Sequence, residues 1–230
     1  MNFHALSVNI HFVTGVIALT TFWIAALAPK GSRPHIWSGR IYLVAMLGII
    51  LTGIPLVAGF AANGNTVGAA FLGFLLALVG WTCWCAWRAI RDRRHPERYA
   101  GPVYWFMTWL VLTGGAGVAT LGIVKGAALL VVFGSVGVLA GFDALRIRRR
   151  ARASRQWWLK EHYGAMIGNG VATHIAFMSI GLRSMLPGVD GRLLNYVAWF
   201  GPLVVALAAG WWLNRRYFPR GATVSDGIAT

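Results

Sequence analysis

Imidazole is the side chain whose placement in this chain could do chemistry, and there are six: His4, His11, His35, His95, His162 and His174. His95 stands among the arginines of 88–98 and reads as a solvated group. The others fall at the ends or in the interior of long apolar runs, where a titratable residue is a functional-site hypothesis by default. Sorted by depth they form two layers. His11 and His174 belong to the outer half of a membrane and His35 and His162 to the inner half, each layer taking one ring from an early run and one from the sixth. Rings from two separate helices are what a bis-ligated b-type haem iron requires, and His11 with His174 could hold a metal ion instead. Glycine lies one helical turn from three of the four, as Gly15, Gly39 and Gly170, and would leave room for a macrocycle. Met166 takes that place beside His162.

Two blander readings stand beside this one. A neutral buried histidine bonded to a carbonyl or hydroxyl is a common structural feature, and the same rings could serve a proton or quinone site. His162 and His174 are twelve residues apart, a rotation of about 120°, so they do not share one helical face. Asp143, an acid inside the fifth apolar run, pairs most simply with Arg146 one turn on, or else relays protons with His162 or His35. Glu161 reads as orienting His162 or pairing with Lys160 or Arg155. No Ser-His-Asp set, P-loop or zinc-protease pattern is present, so hydrolysis and phosphoryl transfer have no support.

The elements that must position these residues follow from composition. Of 230 residues, 57% are hydrophobic and 12% charged, an excess of apolar side chains over a typical soluble domain. They fall in runs of the roughly 20 residues a helix needs to cross a bilayer. Helices are expected near 5-28, 36-60, 68-90, 103-124, 126-146, 158-186 and 192-214, an all-α bundle of seven transmembrane spans over 1-218 with a disordered cytoplasmic tail at 219-230. The link at Lys125-Gly126 is the shortest. The first run ends in a signal-like Ala26-Leu27-Ala28 but lacks a basic leader and reads as a retained helix.

Charge sets the orientation. Of the 21 basic residues, all but Lys125, Arg183 and Arg192 fall in the connections 28–40, 88–98 and 146–160 or after the last span. Basic residues near span ends accumulate in the cytoplasm, which puts the N-terminus outside and the C-terminus inside. The net charge of +15 is thereby explained by topology and anionic headgroups, not by nucleic acid. Trp37, Trp84, Trp87, Trp105, Trp157, Trp158, Trp211 and Trp212 lie near span ends as interface anchors. Gly114, Gly115, Gly117, Gly134, Gly137, Gly141, Gly164 and Gly168 mark where helices can approach closely. Cys83 and Cys85 point to opposite sides of a helix and form no disulfide.

Residues 11–19 (HFVTGVIAL) and 35–43 (HIWSGRIYL) share His, Gly, Ile and Leu in register, with Ser or Thr before the Gly. They cross the membrane in opposite directions, so matching histidines land on opposite sides. Asn9-Ile10-His11 with Gly15, His35 with Gly39-Arg40-Ile41-Tyr42, and His162 with Met166 and Ala176-Phe177 resemble an uncharacterised bacterial family of multi-pass membrane proteins. The resemblance covers the first two helices and the sixth, and implies a polytopic protein of the bacterial inner membrane without an assigned activity. In layout alone the histidine layers are similar to those of b-type membrane cytochromes. The expectation is a membrane redox protein with His11 and His174 on an outer haem b and His35 and His162 on an inner one, serving quinone or a redox partner protein. A histidine-dependent metal or proton transporter using Asp143, and an accessory subunit of a larger complex, are the alternatives.

Overall fold

The computed structural model describes residues 3–218. The expected tail, 219–230, and the side chains of His4 and Arg183 lie outside the described residues. Within them every regular element is an α-helix: α1 (Phe3–Leu27), α2 (Arg33–Ala62), α3 (Thr66–Arg91), α4 (Pro96–Tyr99), α5 (Pro102–Lys125), α6 (Ala128–Ala144), α7 (Ile147–Ala153), α8 (Trp157–Met185) and α9 (Gly191–Tyr217). Each of the seven expected helices is present with ends moved by a few residues. The short α4 and α7 occupy two of the basic connections.

Helices α1, α2, α3, α5 and α9 are long and apolar enough to cross a membrane, and α6 with α7, bent by 50° at the break between them, makes a sixth if the pair is one span. Apolar side chains turn outward along them: Phe12 is 57% exposed, Val44 70% and Phe106 67%. Such a surface fits lipid and not water. Helix α8, 29 residues long, carries Lys160, Glu161, His162, Asn169, Thr173 and His174 along its length.

The chain divides into two compact units, Met1–Thr173 and His174–Thr230. In the first, α1 and α2 form a hairpin turned at Gly31, whose φ of 81° favours glycine. Ser32 then caps α2 by accepting from the His35 amide. The hairpin closes tightly where Gly48 faces Thr14; a Cβ at Gly48 would lie 2.8 Å from the Thr14 methyl. The link after Lys125 is a true helix end: Gly126 takes the left-handed conformation, φ 63°, and its amide reaches back to the carbonyls of Gly122 and Ile123. Beyond it α5 and α6 meet backbone to backbone, since a Cβ on Gly134 would come 2.5 Å from the Ala119 nitrogen and one on Gly115 2.8 Å from the Gly134 oxygen. Gly117 and Gly164, expected at such contacts, face open space.

Two cores hold the first unit together. One gathers Ala18, Tyr42, Ala45 and Met46 of α1 and α2. The other gathers Trp81, Cys85, Ala86, Tyr99, Tyr104 and Trp157 among its members. Trp157 is therefore no interface anchor: it is 3% exposed and its ring centroid lies 5.0 Å from that of Tyr99. In the second unit, Asp190 caps α9 by accepting from the amides of Arg192 (2.6 Å) and Leu193 (3.2 Å), and Tyr196 stacks on Phe200 one turn on.

Candidate functional site

The C-terminal turn of α1 ends in unpaired carbonyls, as any helix does. Lys30 folds back to donate to the oxygens of Ala25 (3.0 Å) and Ala26 (2.6 Å), and the His35 ring sits 2.9 Å from the same Ala25 oxygen through Nδ1. Partial burial holds the Lys30 ammonium below the usual lysine range. On α8, His162 places its Nδ1 3.0 Å from the carbonyl of Ala86 on α3. A carbonyl only accepts, so both rings carry their hydrogen on Nδ1. In the neutral form of each ring Nε2 then carries the lone pair, the tautomer that a backbone carbonyl fixes behind a ligating histidine. His35 and Lys30 lie near His162, and no hydrogen bond joins the two rings among the described residues.

Outward from the two rings the facing surfaces of α2 and α8 stay polar. Tyr42, one heptad after His35, is fully buried and shares a 3.1 Å hydrogen bond with Thr173. Thr173 gives its own hydrogen to the Asn169 carbonyl at 3.0 Å, which leaves Tyr42 as the donor. Asn169, one heptad after His162, is 0% exposed; its side-chain oxygen accepts from Thr82 at 2.7 Å and takes the Cys83 thiol at 3.6 Å. Its Nδ2 has no partner. Sequence reasoning missed this group. The signal was there in the heptad spacing 35/42 and 162/169, which repeats one face on each helix.

The outer pair is arranged differently. His11 places Nδ1 2.9 Å from the Thr52 hydroxyl, and Thr52 spends its hydrogen on the Gly48 carbonyl at 2.7 Å. Thr52 can then only accept, so His11 also carries its hydrogen on Nδ1 and keeps Nε2 unprotonated. His11 of α1 thus bonds to α2 and His35 of α2 bonds to α1, one at each end of the hairpin. His174 belongs to the second unit and is half-buried. The expected room beside His174 is taken: a Cβ on Gly170 would lie 2.6 Å from the Phe22 ring, whereas one on Gly39, beside His35, would meet nothing within 4 Å. Among the described residues no three of His, Cys, Asp and Glu gather as a metal-ion site. No family model, curated protein or solved structure matches the chain.

The acids make a separate cluster where α7 meets α8. Asp143 does not pair with Arg146; it accepts from Arg150 at 2.6 Å, because the break between α6 and α7 turns Arg150 back over the end of α6. Glu161 likewise pairs with neither Lys160 nor Arg155. It bonds Arg150, and its other oxygen accepts from Tyr99 at 3.0 Å. Tyr99 is fully buried, and burial, with the acid groups of Cys85 and Glu161 beside it, raises its pKa well above the ordinary tyrosine range. Asp143, whose side chain is 56% exposed, is thus held by the Arg150 guanidinium, and among the described residues no bond links it to His35 or His162.

Proposed function

We propose that this chain is a seven-span, N-out and C-in electron carrier of the bacterial inner membrane, with His35 and His162 as the axial ligands of an inner b-type haem. One observation carries the reading: both rings turn Nδ1 to a backbone carbonyl, which in the neutral ring leaves the Nε2 lone pair for a ligand, on helices that the Tyr42–Thr173 hydrogen bond joins. The donor set fits a haem better than a bare ion. A porphyrin brings four nitrogens of its own, so two imidazoles complete the iron, whereas a structural or transported metal ion takes three or four protein ligands.

The protein's part is to orient and insulate. Ala25 and Ala86 fix the two tautomers and ring planes, and a hydrogen bond behind a ligand raises its basicity. A Cβ on Gly39, one turn after His35, would meet nothing within 4 Å. Tyr42, Asn169 and Thr173 line the polar seam outward from the rings. A haem here would supply one-electron chemistry, passing electrons from quinone or a partner protein.

The test is spectral. Protein expressed with haem supplied and purified in detergent should show reduced-minus-oxidised bands of low-spin haem b, and His162→Ala should remove them while the circular dichroism stays helical. A folded, haem-supplied protein without haem absorption ends the proposal.

A further inference from the structure

The end of α3 carries a feature that the histidine site does not use. Ile90, Arg91, Arg93, Arg94 and His95 line an open cleft at the turn between α3 and α4. Nearby acids are already committed: Asp92 is buried, 6% exposed, and bonds Arg88, and Glu97 pairs with His95 at 3.1 Å. Arg88 is further tied to the Arg98 carbonyl at 2.9 Å. Arg91, Arg93 and Arg94 are exposed, and no ion pair neutralises them among the described residues.

Below the cleft the surface turns apolar. Trp87 is 47% exposed and Ile90 39%, and with Arg91 they stand at i, i+3 and i+4 on one face of α3, whose last residue is Arg91; Arg93 and Arg94 follow in the turn. The Arg91 guanidinium lies 5.0 Å over the Trp87 ring, which holds its planar fork at the end of the apolar helix. In the same unit Arg40 sits over Trp37 and Arg148 over Trp105. These pairs stand at the starts of α2 and α5, which the short connections bring to the same end of the bundle as the end of α3.

We propose that this cleft is a binding site for an anionic phospholipid, its phosphate held by Arg91, Arg93 and Arg94 and its acyl chains running down Trp87 and Ile90. Guanidinium forks match phosphate oxygens in pairs, and the tryptophan with a stacked arginine sits where headgroup gives way to hydrocarbon. Phosphate without acyl chains would use the arginines and leave the apolar face idle. The site shares no residue with the proposed haem site of His35 and His162, so it holds whether or not haem is bound.

Purified full-length protein in mild neutral detergent is titrated with phosphatidylglycerol, phosphatidylcholine or inorganic phosphate while its melting temperature is followed. Phosphatidylglycerol should raise it saturably, since a ligand that binds the folded state stabilises it by mass action. Each basic side chain near an anionic surface is worth a factor of about five, so Arg93→Gln with Arg94→Gln should move half-saturation about 25-fold higher. Arg149→Gln with Arg152→Gln removes the same charge elsewhere on the basic side and should leave it unchanged. Equal shifts with phosphatidylcholine, or with inorganic phosphate, overturn the lipid assignment. So does an unaltered Arg93/Arg94 variant, or an equal loss in the Arg149/Arg152 variant.

Discussion

Tyr42 donates its phenolic hydrogen to Thr173 across 3.1 Å in a fully buried contact, and that bond joins the face of α2 that carries His35 to the face of α8 that carries His162. Its two ends are not equivalent. Thr173 still has the Asn169 carbonyl as acceptor when Tyr42 is replaced, whereas Tyr42 has no second partner among its described bonds when Thr173 is replaced. Tyr42→Phe should therefore cost about 1 kcal/mol, a net hydrogen bond, and Thr173→Val about 1–3 kcal/mol more, an orphaned buried hydroxyl. Combining the two should cost less than the sum. Thermal unfolding in detergent of the four proteins in the cycle checks this.

The α5–α6 contact makes a sharper steric prediction. At Gly134 the obstacles to a methyl group are backbone atoms of Ala119 and Gly115, which cannot step aside as a side-chain tip can. Gly134→Ala should lower stability by about 1–3 kcal/mol or more, the cost of overpacking. Gly117→Ala, whose Cβ meets nothing within 4 Å, should be neutral or slightly stabilising. Melting temperatures of the two variants, purified in parallel, separate packing from propensity.

Arg150 holds two acids at once, Asp143 and Glu161. Removing it leaves the Glu161 carboxylate buried with only Tyr99, and a broken buried pair costs about 3–5 kcal/mol. Arg150→Gln should therefore destabilise the protein far more than Glu161→Gln, which leaves Arg150 with Asp143. Reversal of that order in detergent unfolding would refute the pairing.

Tyr99 links stability to alkaline pH. Burial raises its folded pKa well above the unfolded value of about 10, so the folded state keeps a proton that the unfolded state loses. Its contribution is fully present below pH about 10 and declines as pH climbs above that value toward the folded pKa. Tyr99→Phe should flatten the alkaline fall of the melting temperature measured between pH 8 and about 11, while costing the Glu161 hydrogen bond at neutral pH.

What the sequence determined by itself was the local architecture. Lengths and spacing of apolar runs placed all seven long helices, because a bilayer-sized run of apolar residues has one low-energy backbone solution in lipid, with every hydrogen bond made within the helix. The break at Gly126 is the weakest reading along the chain, since 103–146 could also be one broken unit, and the left-handed φ of 63° at Gly126 is what marks the helix end. Tertiary structure decided who meets whom. Which arginine takes Asp143 and Glu161 depends on the bend between α6 and α7, not on separation along the chain, so Arg150 prevailed over Arg146, Arg155 and Lys160. Whether a glycine opens a gap or admits a neighbour depends on the facing helix, so Gly39 faces space and Gly170 faces Phe22. Trp157 left the expected interface belt because Tyr99 supplies a buried ring to pack on. The carbonyls that fix the tautomers of His35 and His162 belong to other helices, at Ala25 and Ala86. No pattern along one strand of sequence encodes a partner that only the packing of separate helices brings within 3 Å.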